Sequence, residues 1–344
     1  MRPILAHAGR RRFDGHGQNR LTSLVLCVAV AVGSAAACSS GGPKGSSAPG
    51  KDSLAVEVAS YDLAVGPPAR FIAGVLTAGQ QLVGFGTVSM RFAFLGTKEA
   101  SASSTPVGSP TIATFLPVPG TTVPSPPPAA PGIVAGVDRG VYGAQFAFDR
   151  PGFWQVEVTA RIAGTQRRGT SAFAVGDHHH LPAVGDAALN TNNLTMASTD
   201  VPKAAIDSRA GTGGEVPDPE LHSTTIAAAL AAKRPAVVVF ATPVYCVSRF
   251  CGPVTDLVDG LSKTNADRAS FIHVEIFKNF EAQNDAERLN AAAAEWLLRD
   301  DDLNEPWVFV IGADGRIIAR FDNVVTAAEL EALLQTFPVI GPAA

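Results

Sequence analysis

Residues 236–261, AVVVFATPVYCVSRFCGPVTDLVDGL, constrain the chain more than any other stretch. Ala236 to Phe240 are all apolar and include three consecutive valines, the pattern of a strand covered on both faces. Thr242 and Pro243 end that strand. Beyond Pro253, the residues Val254, Leu257, Val258 and Leu261 fall at i, i+3, i+4 and i+7, the stripe of a helix packed on a sheet. Cys246 and Cys251 therefore sit where the carboxyl end of a buried strand meets the amino end of a helix. Unpaired N–H groups and the helix dipole at such a junction stabilise a thiolate.

The elements around this junction predict an α/β domain over 215–344. Thr225 to Lys233 reads as a helix ended by Arg234-Pro235, Phe271 to Phe277 as a second parallel strand, and 281–299 as an Ala-rich helix with Trp296 and Leu297 packing. Val308 to Ile311 is a third strand, joined by the turn Asp314-Gly315 to Arg316–Phe321. Thr326 and Glu329 form a capping box for a last helix whose Leu330, Leu333 and Leu334 face the sheet. A βαβ unit followed by ββα results. His273 and Glu275 share one face of their strand, with Glu275 nearer its carboxyl end.

Over roughly 215–338 the chain resembles the thioredoxin-like superfamily. Phe240, Tyr245 ahead of Cys246, and Cys251-Gly252-Pro253 are similar to that family's strand–Cys-Gly-Pro-Cys–helix unit, and Glu305-Pro306-Trp307 is similar to the segment carrying its cis-proline. The resemblance implies that Cys246, Cys251 and Pro306 form the active corner, with Glu305 and Trp307 brought close. The chain departs from the pattern in three places. Four residues separate its cysteines where the family has two, Val254 stands where the second cysteine of a Cys-Gly-Pro-Cys would be, and Val239 stands near the family's buried acid.

Residues 1–37 stand apart from the fold. Arg2, Arg10, Arg11, Arg12 and Arg20 precede an apolar core, Leu21 to Val32, and the small residues 33–37 precede Cys38. This resembles a bacterial lipoprotein signal, which implies cleavage before Cys38, lipid on its thiol, and a membrane-anchored protein on the extracytoplasmic face. Residues 38–53 then form a Ser/Gly/Pro tether. With Cys27 in the leader and Cys38 lipidated, Cys246 and Cys251 are the cysteines left to the fold. Outside the cytoplasm a disulfide between them is the default expectation. A formal net charge of −4, from 27 basic and 31 acidic residues, gives no nucleic-acid signature.

From 54 to 176 the texture is β. Short runs such as Thr87–Leu95, Trp154–Ala160 and Ser171–Val175 are rich in aromatic and β-branched residues, and six or seven of them predict an immunoglobulin-like sandwich. Gly152-Phe153-Trp154 and the residues that follow resemble the late hairpin of the FixH/YtkA-like group of small extracytoplasmic β domains. The stretch 104–131, with nine prolines, reads as a long insert or disordered loop. Residues 177–214 read as a solvated linker. It opens with His178, His179 and His180, which suit copper or zinc but have no second ligand cluster at defined spacing. His222 reads as exposed, and Trp154 and Trp296 as core.

The predicted architecture is thus multidomain, an all-β sandwich followed by an α/β thioredoxin-like domain. Three chemistries fit the cysteine pair. It is a redox-active dithiol that exchanges with extracytoplasmic protein thiols and disulfides, Cys246 attacking and Cys251 resolving. Alternatively it is a structural disulfide in a redox-inactive binding module, or a two-sulfur copper site aided by His273. Arg249 favours a thiolate, Glu305 and Glu275 oppose one, and Tyr245 shields the sulfurs or shapes a substrate groove. No cofactor is implied.

Overall fold

The structure, a computed structural model, describes residues 52–102, 105–134 and 139–340. The leader, Cys38 and the tether up to residue 51 lie outside the described residues. Among the described residues, no helix is long and apolar enough to cross a membrane.

The first part is built of β1 (Leu54–Val58), β2 (Ala69–Thr77), β3 (Val83–Gly84), β4 (Thr87–Gly96), β5 (Pro106–Pro117), β6 (Gly132–Ile133), β7 (Gly140–Phe146), β8 (Gly152–Ile162) and β9 (Thr165–Val175). Seven of these strands form one antiparallel sheet in the order β1-β2-β7-β5-β4-β8-β9, while β3 pairs with β6. Where two facing sheets were expected, this single sheet rolls nearly into a barrel. Its end strands meet at a parallel bridge between Ser53 and Arg168. Closure of this kind leaves little free sheet edge. A side chain at Gly169 would collide with the Leu54 carbonyl, so glycine permits the approach. Alternation along β8 turns Trp154, Val156, Val158, Ala160 and Ile162 inward, where Trp154 meets Phe148 at 5.2 Å.

The proline-rich insert is corrected by this sheet. Most of it up to Pro117 is β5, an interior strand, and Ala113 and Phe115 point into the core. Prolines are tolerated because the β4–β5 register shifts between Met90 and Phe92. Gly108, Ser109 and Pro110 bulge there, so Pro110 leaves no ladder donor missing.

The second part is a four-stranded mixed sheet in the order β11-β10-β12-β13, made of β10 (Ala236–Ala241), β11 (Ser270–Glu275), β12 (Trp307–Ile311) and β13 (Ile317–Asp322). β10 and β11 are parallel and the other pairs antiparallel. Helices α1 (Ile226–Ala231), α2 (Cys251–Asn265), α3 (Asp285–Arg288), α4 (Ala291–Leu297) and α5 (Ala327–Leu334) complete it. Val238 and Phe240 join the cluster containing Trp296, whereas Val237, Val239 and Ala241 join the cluster of α2 and α5. Every residue of β10 is buried, as its sequence requires. The capping box of Thr326 and Glu329 forms. The turn at Asp314-Gly315 is one residue longer than expected, since Gly312 N–H bonds the Arg316 carbonyl at 2.8 Å. The single helix expected over 281–299 is two short ones. Asn290 breaks it, because its buried amide donates to the carbonyls of Glu275 at 2.7 Å and Ala205 at 2.9 Å.

The expected solvated linker is packed. Ile317 N–H bonds the Asp186 carbonyl at 2.9 Å, extending the sheet at β13, and Trp296 Nε1 donates to Thr191 Oγ1 at 2.9 Å. His179 is not free to bind metal with its neighbours. Its ring nitrogen lies 2.6 Å from the Arg320 guanidinium, which also donates to Asp62 at 2.8 Å. Asp62 accepts from the backbone N–H of His180 and Leu181 too, at 3.0 and 3.1 Å. These bonds hold its carboxyl far below the ordinary range despite burial.

The two parts are docked, not strung. Arg70 of β2 donates to the Val324 carbonyl at 2.7 Å and pairs with Glu329 at 3.2 Å. Tyr61 donates from its backbone to Asp322 and from its hydroxyl to Asn323, both at 2.8 Å. Ile72, Val118 and Val141 of the β-rich part enclose Val324, with Phe250 packed against them. Phe250 immediately precedes Cys251, so the β-rich part bears directly on the cysteine loop.

Candidate functional site

β10 delivers the chain to a loop, residues 242–250, and α2 begins at Cys251. Five residues of separation suffice for pairing because Cys246 lies in the loop and Cys251 in the first helical turn. Their sulfurs are at bonding distance and their Cα atoms 6.1 Å apart, within the span a disulfide needs. The two differ in environment. Cys251 is fully buried in the cluster beneath α2, whereas Cys246 is half-buried. Cys246 Sγ accepts from Cys251 N–H at 3.4 Å and lies 3.2 Å from Ser248 Oγ, contacts that stabilise negative charge on that sulfur.

The Glu305–Pro306 peptide is cis, and Pro306 is buried. The Glu305 carboxylate approaches both cysteines, so that one oxygen and the two sulfurs all lie within 4.8 Å of one another. Burial first, and then the charge of Glu275, push Glu305 up to about 7, against the pull of Arg288. Glu275 itself is a layer deeper. Its carboxyl accepts from Ser208 N–H at 2.8 Å and Ile276 N–H at 2.9 Å, and burial raises its pKa. Glu275 thus bears on Glu305 as a charge.

Trp307 is placed elsewhere. Alternation along β12 sends its ring to the opposite face from Cys251, against Phe309 at 5.7 Å, with Arg320 over it at 5.3 Å. Tyr245 stacks on Phe280 at 4.1 Å and lines a cleft of about 570 Å³ with Phe277 and Lys278. Arg249 is exposed, with a left-handed φ of 61°, and lines a groove of about 490 Å³ with Phe250, Glu57 and Arg139 of the β-rich part.

Asp207 was hidden in the expected linker. It is fully buried, and its Oδ2 lies 3.3 Å from His222 Nε2 and 3.2 Å from His273 Nδ1. Arg209 closes a fork on the same carboxylate at 2.7 Å and 3.0 Å. His222 is thus buried rather than exposed. The other nitrogen of His273 faces the Ala241 carbonyl at 3.0 Å, at the end of β10, so this ring is held by the fold. Burial of Asp207 is outweighed by these bonds, which hold its carboxyl far below the ordinary range. For His273 they likewise outweigh burial and raise the pKa, whereas burial lowers that of His222. Next in sequence, Ser208 Oγ accepts from Val244 N–H at 3.3 Å. The 207–209 segment thereby braces the cysteine loop from below. Its sequence signal was faint: Asp207 and Arg209 lie between the apolar residues Ile206 and Ala210, with no periodicity to mark an element.

No protein-family model matches the chain, and no curated protein does.

Proposed function

We propose that the protein is an exported lipoprotein, anchored through lipid on Cys38, whose carboxyl-terminal part is a thioredoxin-like module carrying out thiol–disulfide exchange on extracytoplasmic proteins. The β-rich part, a single rolled sheet, is proposed as a domain that supports the cysteine loop through Phe250. The observation that carries this is the asymmetric pair at the strand–helix junction: a half-buried Cys246 with N–H support, a buried Cys251, and a carboxyl beside both. In the exchange, a partner thiolate attacks Cys246, the Cys246–Cys251 bond breaks, and Cys251 leaves as a thiolate. A second partner thiolate then releases Cys246, so that two partner thiols become a disulfide and the pair becomes a dithiol.

The competing structural-disulfide reading draws on the depth of Cys251. The copper reading is the weaker, because His273, its third ligand, is engaged by Asp207 and Ala241. The test mixes the oxidised full-length protein with a peptide bearing two cysteines and follows both by mass spectrometry after acid quench. Peptide oxidation should proceed in step with reduction of Cys246–Cys251, faster than with oxidised glutathione at equal concentration. A rate no greater than that of glutathione would leave the structural-disulfide reading in front.

A further inference from the structure

We infer that Glu305 is the group that gives a proton to Cys251 when the disulfide opens and takes it back when the disulfide closes. The assignment rests on the exchange reading for its purpose, but its geometry is independent. When a partner thiolate opens the disulfide at Cys246, the displaced electron pair stays on Cys251. That sulfur is fully buried, so water is a poor proton source for it. A buried thiolate without a proton or a cation is strongly disfavoured. The Glu305 carboxyl lies within 4.8 Å of both sulfurs.

The other charged groups facing this corner do not fill the role. Glu275 on β11 has its carboxyl occupied by the backbone N–H groups of Ser208, Ile276 and Phe277. Arg288 of α3 acts on Glu305 as a charge and lies over the rings of Phe277 and Phe280 at 4.8 and 5.3 Å. Tyr61, from the β-rich part, directs its hydroxyl to the Glu305 carbonyl at 3.3 Å and to Asn323 at 2.8 Å, which steadies the backbone beside the carboxyl. A carboxyl pushed up to about 7 is divided between its two forms near neutrality, as a group that both donates and accepts must be.

The proton balance is closed. In opening, the Glu305 carboxylic acid becomes a carboxylate and Cys251 a thiol, after which solvent reprotonates Glu305. In closing, the carboxylate removes the Cys251 proton as that sulfur attacks the mixed disulfide and the partner leaves as a thiolate.

The variant is Glu305→Gln in the full-length protein, with Glu305→Asp as the conservative control. Reduction by the dithiol peptide, corrected for the thiolate content of the peptide, should fall in the wild type as pH rises through about 7. Glu305→Gln should lose this limb and react about tenfold or more slowly at pH 6, with Glu305→Asp partly restoring both. A Glu305→Gln profile that retains the limb and the rate would overturn the assignment. A second measurement does not require exchange. In the chemically reduced protein, thiolate absorbance should titrate about one unit or more lower in Glu305→Gln, because a carboxylate beside the sulfurs is gone. Unchanged titration overturns the assignment even if exchange is active. Shifted titration with no exchange sinks the exchange reading and leaves the carboxyl–thiol coupling standing.

Discussion

Cys246→Ser is expected to bring peptide exchange down to the uncatalysed rate, whereas Cys251→Ser should still attack and then stall as a mixed disulfide on Cys246. The asymmetry follows from exposure. A partner sulfur can reach the half-buried Cys246 but not Cys251, which is fully buried at the first position of α2. Serine at 251 leaves nothing to resolve the bond once formed. Either variant also loses the covalent loop, which for so short a separation costs about 2 kcal/mol in the chain-entropy account. Both must therefore be assayed where denaturation curves show them folded. Mass spectrometry of the trapped adduct checks the assignment. A mixed disulfide on Cys251 in the Cys246→Ser protein, with none on Cys246 in the other, would reverse the roles.

The second large effect lies at Asp207. Asp207→Asn keeps the shape but removes the charge that faces Arg209, His222 and His273, and should destabilise the protein by about 3–5 kcal/mol, the usual cost of leaving buried charges unpaired. Its pH dependence has a definite sign. The folded pKa of Asp207 is depressed, so its contribution is complete above the unfolded value of about 3.9 and disappears as pH falls. The folded pKa of His273 is raised, so its contribution is complete below about 6.5 and disappears as pH rises through the folded value. The wild type should therefore exceed Asp207→Asn most between about pH 4 and pH 6.5. Urea unfolding across that range measures it, and a difference below about 1 kcal/mol throughout would mean that the cluster is not a stability element.

The strand–loop–helix unit at 236–261 was legible because a run of valines and a helical apolar stripe report burial directly. The cis bond before Pro306 and the closeness of Glu305 to the sulfurs followed from the layout that the resemblance implied. The same layout put Trp307 beside the cysteines as well, and there it failed: residues 307–311 alternate, so Val308 and Val310 take the Cys251 face and Trp307 the other. Strand β5 was obscured because proline count suggested disorder, while a bulge opposite Arg91 admits Pro110 into a paired strand. Asp207, His222 and His273 could not be joined from sequence. They come from three separate segments, and only the packing of 177–214 against the sheet brings them within hydrogen-bond range. That packing also means that the cysteine corner should be studied in the whole chain, since a fragment starting at 215 lacks Asp207 and the Ser208 contact to the loop.

The most direct test of redox function is the reduction potential of the Cys246–Cys251 pair. The full-length protein is equilibrated with glutathione buffers of graded ratio, quenched, alkylated and mapped for free thiols at those two residues. A redox-active pair predicts a value above about −250 mV, in the range of exchange catalysts. A value below about −300 mV would mark a structural bridge and contradict it.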